Sequence, residues 1–500
     1  MSRLLHDLLD DQRRRSPTRP AVRRGDLVLT YDELWRRSRA YAGWLSARGV
    51  RRGDRVLVFA PHDAETVAAI FAISRLGAVY VVASDRLPAA RLVDVVADAQ
   101  PRLLLTSDRS AIIAAPTGPG TDGHGRSPES AGGEPAGTRA AAGVAELARV
   151  TGVDVARLED LPTGGNDLPT GDDLAGVDDG VAGDRAEAGD EVPESGAIGL
   201  DPVGLLYTSG STSTPKAVVS THRQVLFVTG AIGARLRYRP DDVVLCCMPL
   251  SFDYGLYQVF LCVQAGAELV LGDDADAGPR LVSRLTAWRV TVFPLVPTLA
   301  VALATLVARA GRPPATLRMI TSSGAALPPA TADRLRALVP GLDVVSMFGL
   351  TECKRVSIME PNADIDRPGA VGRPLPGTEV FVVDEQGRPL PPGAVGELVV
   401  RGEHVMSGYW RAPELSAAKF RRDEFGAPLL FTGDRCRLDG DGYLYFVGRD
   451  DDLYKQRGFR VSAVEVEAAA QRLPAVHLAA VIPPRDGAAT VLVVAPVEGA

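Results

Sequence analysis

Residues 205–217 read Leu205-Leu206-Tyr207-Thr208-Ser209-Gly210-Ser211-Thr212-Ser213-Thr214-Pro215-Lys216-Ala217. An apolar run from Val203 to Leu206 predicts a buried strand, which empties into small hydroxyl residues around one glycine. Pro215-Lys216 closes the loop, and Ala217-Val218-Val219 begins a second apolar run. Such a loop suits an anion. Main-chain N–H groups of a small-residue turn form a concave nest, hydroxyls add donors, and Lys216 adds a fixed positive charge. The ligand this chemistry fits is a polyphosphate; the plainer alternative is a Ser/Thr-rich surface loop. It is not the Walker pattern, because Lys216 follows a proline and no Gly-Lys-Ser/Thr opens a helix.

Outward from this loop, strand and helix patterns alternate, which predicts an α/β fold with parallel sheets. Residues 27–31 form a short strand, with Thr30 and Asp32 in the N-cap region of the next helix. Strands follow at 55–60, 78–82 and 102–106, and helices at 64–76 and 91–99, the first closed by Gly77. Residues 148–155 offer an edge strand. Further strands fall at 243–248, 267–271, 290–293, 317–321 and 343–348, with a helix at 281–288 and Pro294 and Pro297 framing the start of another. After Gly369 the pattern is strand-rich (379–383, 397–401, 443–447), which predicts a small β-rich subdomain over 370–450. The expected organisation is an N-terminal domain, 1–450, and the start of a small C-terminal α+β domain, 451–500.

Five hundred residues with 46% hydrophobic content permit more than one core. Residues 117–198 hold 17 acidic and 5 basic side chains, or −12, so the rest of the chain is near +5 against a total of −7. With few aliphatics outside 144–161, the stretch 116–198 reads as a disordered acidic insertion. The five cysteines show no metal-ligand spacing with histidine, and a reducing cytoplasm is the expected compartment. The first residues are broken by acids too early for a signal peptide, and no apolar run is long enough to span a membrane. The negative net charge gives no support for a nucleic-acid partner.

Three loops follow predicted strands, after Leu206, Thr321 and Phe348, and ligands of open parallel sheets gather at such ends. They offer an anion nest, a small-residue platform (Gly324-Ala325-Ala326), and an aromatic ring near a carboxylate (Phe348, Glu352). A nucleoside triphosphate uses all three: the ring stacks the base, small residues let the backbone approach, and a carboxylate holds Mg²⁺.

The 205–217 loop resembles the phosphate-binding loop of the adenylate-forming superfamily, which includes acyl-CoA synthetases, amino-acid adenylation domains of peptide synthetases, and luciferases. That loop usually reads Tyr-Thr-Ser-Gly-(Ser/Thr)-Thr-Gly-x-Pro-Lys-Gly; here Ser213 and Ala217 replace two glycines. Further matches follow in order: Leu29-Thr30-Tyr31-Asp32-Glu33-Leu34, Leu76-Gly77-Ala78-Val79-Tyr80-Val81, Phe348-Gly349-Leu350-Thr351-Glu352, Leu430-Phe431-Thr432-Gly433-Asp434 and Gly448-Arg449-Asp450-Asp451-Asp452. The resemblance covers nearly everything outside 116–198. It implies an AMP-forming acid–thiol ligase using ATP and Mg²⁺. By the same likeness Thr208, Ser209, Gly210, Ser211, Thr212 and Lys216 hold phosphates, and Gly324, Ala325 and Ala326 adjoin the nucleotide. Phe348 stacks on adenine, Thr351 contacts the α-phosphate, Glu352 holds Mg²⁺, Asp434 binds the ribose hydroxyls, Arg449 reaches the nucleotide, and Asp451 is the hinge between domains.

For the acid, Ser251-Phe252-Asp253-Tyr254 resembles the segment of amino-acid adenylation domains whose Asp pairs with the α-ammonium. The alternative is that Asp253 caps the helix beginning near Tyr254. The likeness places Tyr254, Tyr257, Thr321, Ser323, Met347, Arg355 and Val356 along the acyl pocket. An inward Arg355 binds a second carboxylate or polar tail; an outward one is a solvated residue beside Lys354. The expected substrate is a small amino acid or polar carboxylic acid, and the acceptor is CoA or the phosphopantetheine of a separate carrier protein. One departure is large: family members carry a late Gly-Lys whose Lys bridges carboxylate and α-phosphate, and the only Lys here past the hinge is Lys455. Two hypotheses therefore stand, an adenylating enzyme and a non-catalytic nucleotide- or acyl-binding homologue.

Overall fold

The computed structural model describes residues 3–108, 110, 147–162, 195–208, 216–449, 453–456, 459–471, 473, 475–482 and 490–496. They divide into two units. One comprises Met1–Leu226, Met248–Leu271 and Tyr409–Arg411, the other Phe227–Cys247, Gly272–Gly408 and Ala412–Ala500.

Unit one is built on a six-stranded sheet in the order Val155–Arg157, Leu103–Thr106, Arg55–Phe59, Val79–Ala83, Pro202–Thr208 and Lys216–Thr221. All neighbours are parallel except the last pair, an antiparallel hairpin. The central strands read as unbroken Val/Leu runs because both faces are covered, as in most parallel sheets. The helix Ala64–Arg75 is buried along nearly its whole length, with the Asp63 side chain accepting from Thr66 N–H at its start. Thr30 and Glu33 form a reciprocal capping box on the helix Tyr31–Ala47, so the preceding strand stops at Thr30, one residue short of the expected end. Residues 147–151 are helical and the edge strand is Val155–Arg157, not 148–155. Leu147, Leu158 and Leu161 are buried, so this part of the expected insertion is folded; most of the remainder, 111–146 and 163–194, lies outside the described residues.

Unit two carries parallel strands Val243–Cys246, Val292–Leu295, Met319–Ser322 and Asp343–Phe348, extended antiparallel by Ser357–Ile358 and Arg373–Pro374. The second runs through Pro294, which the sequence placed at a helix start; Pro297 alone opens the helix Pro297–Ala310. Buried Asp242 ties three of the strands at their starts, accepting from Arg318 Nε at 2.8 Å, Thr291 Oγ1 at 2.7 Å and Arg239 N–H at 2.7 Å. The expected β-rich region is a five-stranded antiparallel sheet of Thr378–Val383, Val395–Gly402, Phe420–Arg422, Pro428–Leu438 and Leu444–Arg449. Beyond it come the hairpin Leu453–Gln456/Phe459–Ser462, the helix Ala463–Gln471 and the hairpin Val476–Ile482/Val491–Pro496, an α+β arrangement. Since Met319–Ser322 and Asp343–Phe348 are parallel neighbours, the turns that follow them emerge at the same edge of unit two.

Candidate functional site

In unit one the hairpin ladder ends at the pair Thr208↔Lys216, so the two flanks of the hydroxyl-rich loop are fixed in register. Ser209, Gly210, Ser211 and Thr212 lie outside the described residues, and Thr208 is placed by its backbone. Lys216 is half-buried. Two residues the sequence reading passed over hold this hairpin. Asp98 accepts from Tyr207 Oη at 2.7 Å, and Trp410 donates its N–H to Ala217 O at 2.8 Å and its indole N–H to Asp98 O at 3.1 Å. Their sequence separations of about a hundred residues or more gave no local signal.

Also in unit one, Asp253 begins the helix Asp253–Ala265 and is 5% exposed. Phe252 occupies the N-cap and no side chain caps the helix, so the capping role offered as the alternative for Asp253 is not the one it fills. A carboxylate in the first turn is favoured by the helix dipole. Tyr254 and Tyr257 are buried behind it, Tyr257 edge-on to Phe260 at 5.3 Å.

In unit two, Thr321 and Ser323 end buried at the Met319–Ser322 strand, while Gly324, with φ of +93°, Ala325 and Ala326 are exposed. The next turn, 349–355, folds tightly back on its strand: Lys354 N–H donates to Leu350 O at 2.7 Å and Val356 N–H to Phe348 O at 2.9 Å. Thr351 and Glu352 are half-buried at its apex. Phe348 is half-buried against Phe446, ring centroids 5.4 Å apart. Met347 and Val356 are buried. Arg355 is 5% exposed, which removes the solvated alternative, and Lys354 is 1% exposed with a left-handed φ of +66°. Burying two consecutive cations is costly, and a non-glycine residue held at positive φ is the kind of backbone outlier that gathers at functional sites. The sequence reading gave Lys354 no role.

The β-ladder of unit two sets Asp434 opposite Arg449, with Nε 2.9 Å from Oδ1. Asp434 is 4% exposed, and burial pushes its carboxyl up to about 6 despite Arg449 and Lys419; Glu352 is near enough to push the same way. Thr432 supports the turn, donating to Leu398 O at 2.9 Å and accepting from Asp434 N–H at 3.0 Å. Glu352, Asp434, Arg449 and Lys419 thus form one charge cluster. Glu352, a half-buried carboxylate at the apex of its turn, offers the hard oxygen ligand that a divalent cation takes. The predicted hinge residue Asp451 lies outside the described residues.

A cavity of about 580 Å³ elsewhere in unit two, bordered by Arg235, Arg373, Asp439 and Gly442 among others, contains none of the predicted residues. His6, Asp7 and Asp10 cluster in unit one, but Asp10 is already engaged by Arg75 and by the Trp35 indole, which gives the group a structural role. Among the described residues no helix is long and apolar enough to cross a membrane. Of 55 lysines and arginines only four are lysine: Lys216, Lys354, Lys419 and Lys455. Lys216 ends the hairpin loop, Lys354 closes the turn after Glu352, and Lys419 adds positive charge near Asp434.

The sequence pattern of the family described as AMP-binding enzyme matches residues 9–410. The chain is 33% identical over 488 residues to "Probable non-canonical nonribosomal peptide synthetase (NRPS) CymA" of Salinispora arenicola, covering 96% of this chain but 6% of that protein. It is 32% identical to a feruloyl-CoA synthase of Amycolatopsis, covering 97% of this chain and 87% of that one. The crystal structure of VinN superposes with a TM-score of 0.73 at 38% identity, covering 89% of this chain and 99% of VinN. VinN has also been solved in complex with L-aspartate and with 3-methylaspartate.

Proposed function

The chain belongs to the AMP-binding enzyme family, and we propose that it activates an amino dicarboxylic acid of the aspartate class as its acyl-adenylate, releasing pyrophosphate. The observation that carries the substrate class is the burial of Lys354 and Arg355 in consecutive positions. A second carboxylate on the acid is the anion such cations favour, and Asp253 supplies the carboxylate an ammonium group requires. The VinN complexes with L-aspartate and 3-methylaspartate, at 37% and 35% identity, support the same class.

In this reading the acid's carboxylate oxygen attacks the α-phosphorus of ATP, the bond to the β-phosphate oxygen breaks, and pyrophosphate leaves. Carboxylates do not acylate thiols directly because hydroxide is a poor leaving group; adenylation makes AMP the leaving group. The acyl group then passes to a phosphopantetheine thiol, carried by a separate protein or by CoA. Lys216 balances phosphate charge, Thr351 contacts the α-phosphate, and Glu352 would hold Mg²⁺, which would supply charge neutralisation at the phosphates. Gly324, Ala325 and Ala326 let the backbone approach the nucleotide, Phe348 stacks on adenine, and Arg449 orients Asp434 toward the ribose diol. The domain boundary and hinge near 451 belong to this proposal as well.

Pyrophosphate exchange over an acid panel tests the substrate class. Aspartate and 3-methylaspartate are expected to outperform succinate, alanine and ferulate. Arg355→Leu is expected to lower kcat/KM for aspartate roughly ten- to hundredfold, the worth of a buried charge-assisted hydrogen bond. A preference for ferulate, or an unaffected Arg355→Leu enzyme, overturns the assignment.

Asp434 predicts a pH dependence. Above about 6 its carboxylate accepts from the ribose hydroxyls; below that it is protonated, so ATP KM should rise as pH falls through 6. A carboxyl raised above its ordinary value takes up its proton more readily in the folded state, so this group alone adds stability as pH falls from 6 toward 4. Buried His6, His222 and His404, held down near 4, 3 and 4 mainly by burial, act oppositely and lose stability as pH falls below 6.5. Circular dichroism on the same samples separates unfolding from lost affinity. A flat ATP KM from pH 7 to 5.5 in folded protein removes Asp434 from the ribose role.

A further inference from the structure

The segment Gly402–Met406 lies against the turn that carries Glu352, Lys354 and Arg355. Met406 N–H donates to Glu352 O at 2.9 Å, and Val405 N–H to Gly402 O at 3.1 Å closes a turn around His404. The His404 side chain is fully buried. Its imidazole rests on the main chain at Gly402, where a Cβ would stand 2.8 Å from Nδ1, and meets the Phe227 ring at 6.0 Å between centroids. No hydrogen bond of normal geometry reaches either ring nitrogen among the described residues, although the Arg355 main chain is near enough to favour a protonated ring. A buried polar ring without a partner costs stability that an aliphatic residue of similar size avoids, so its presence calls for a role.

We propose that His404 is a positioning residue for acid selectivity: its ring fixes the main chain of the Lys354–Arg355 turn, and so the direction in which the two buried cations face the second carboxylate. The proposal rests on the dicarboxylic reading above and adds to it the residue that sets the cations' geometry. Loosening the turn lets the cations shift without removing them. Recognition of the second carboxylate should then weaken most, with a smaller effect on ATP through Glu352, whose carbonyl is held by Met406 N–H.

The test is pyrophosphate exchange by His404→Leu and His404→Asn, with aspartate and alanine as acids and ATP varied separately. Expected for His404→Leu is a rise in KM for aspartate at least tenfold greater than any rise for alanine or for ATP, and partial recovery in His404→Asn. Thermal melting runs beside both. Variants that melt lower yet keep the wild-type aspartate-to-alanine ratio overturn the positioning role and leave His404 as core filling. Should His404→Leu fail to fold, His404→Asn decides alone by the same ratio. A wild type indifferent to the second carboxylate overturns the dicarboxylic reading itself, and this proposal falls with it; a selective wild type with selective variants overturns only His404.

Discussion

Glu352→Gln and Lys216→Ala are each expected to lower ATP–pyrophosphate exchange by about 10²- to 10³-fold, the loss usual when a preorganised charge on a transferring group is removed. The Gln replacement keeps shape and size and removes the negative charge a divalent cation needs. Lys216 closes the loop whose register is fixed by Thr208↔Lys216, so its ammonium starts from a braced strand end and loses little entropy on meeting a phosphate. Both side chains are half-buried, so melting temperatures should move little. Exchange rates with saturating ATP, and ATP binding by calorimetry, check both variants. Wild-type turnover and affinity in the pair would remove the nucleotide assignment from these residues.

Gly349→Ala is the second large effect, for a different reason. A Cβ at Gly349 would stand 2.2 Å from Lys354 O, 2.8 Å from Arg355 Cα and 3.0 Å from Lys354 C. All three are main-chain atoms, which cannot rotate aside. The turn must therefore shift, and it carries Thr351, Glu352, Lys354 and Arg355 together. Displacement of about 1 Å at a reacting centre costs on the order of 10²-fold. Exchange is expected to fall by at least that factor, with KM for both acid and ATP affected. Gly324→Ala provides the contrast. Its nearest contact would be Val296 Cγ1 at 3.8 Å, and the strain there comes only from φ of +93°. Equal, mild losses in both variants would show that the Gly349 clash relaxes without moving the turn.

The sequence announced the parts of this protein that are local. The strand–loop–strand around Lys216 is visible because apolar runs flank a polar loop, and Thr30 was placed in the N-cap region, where it is the cap, although its reciprocal partner is Glu33. Asp434 and Arg449 were each picked out by motif, but their pairing depends on an antiparallel register that no spacing reveals. Asp242 and Arg318, 76 residues apart, gave no signal at all. Lys354 drew no assignment for a plain physical reason: adjacent charged residues after a carboxylate usually sit in water, and only tertiary packing around the turn buries them. Asp253 shows a smaller displacement of the same kind, since a one-residue change in where the helix starts moves it from the cap to the first turn.

The scarcity of lysine has a chemical consequence. An acyl-adenylate is a mixed anhydride and acylates free amines, whereas guanidinium groups stay protonated and do not attack it. A surface whose cations are nearly all arginine is inert toward such a product if it escapes. Of the four lysines, Lys354 is 1% exposed, and Lys216 and Lys419 are half-buried. Amine-directed labelling of the folded protein therefore reads a handful of positions, among them Lys216 and Lys354, which are assigned here to nucleotide and acid. Protection of Lys216 by ATP can be followed by peptide mass without any substitution.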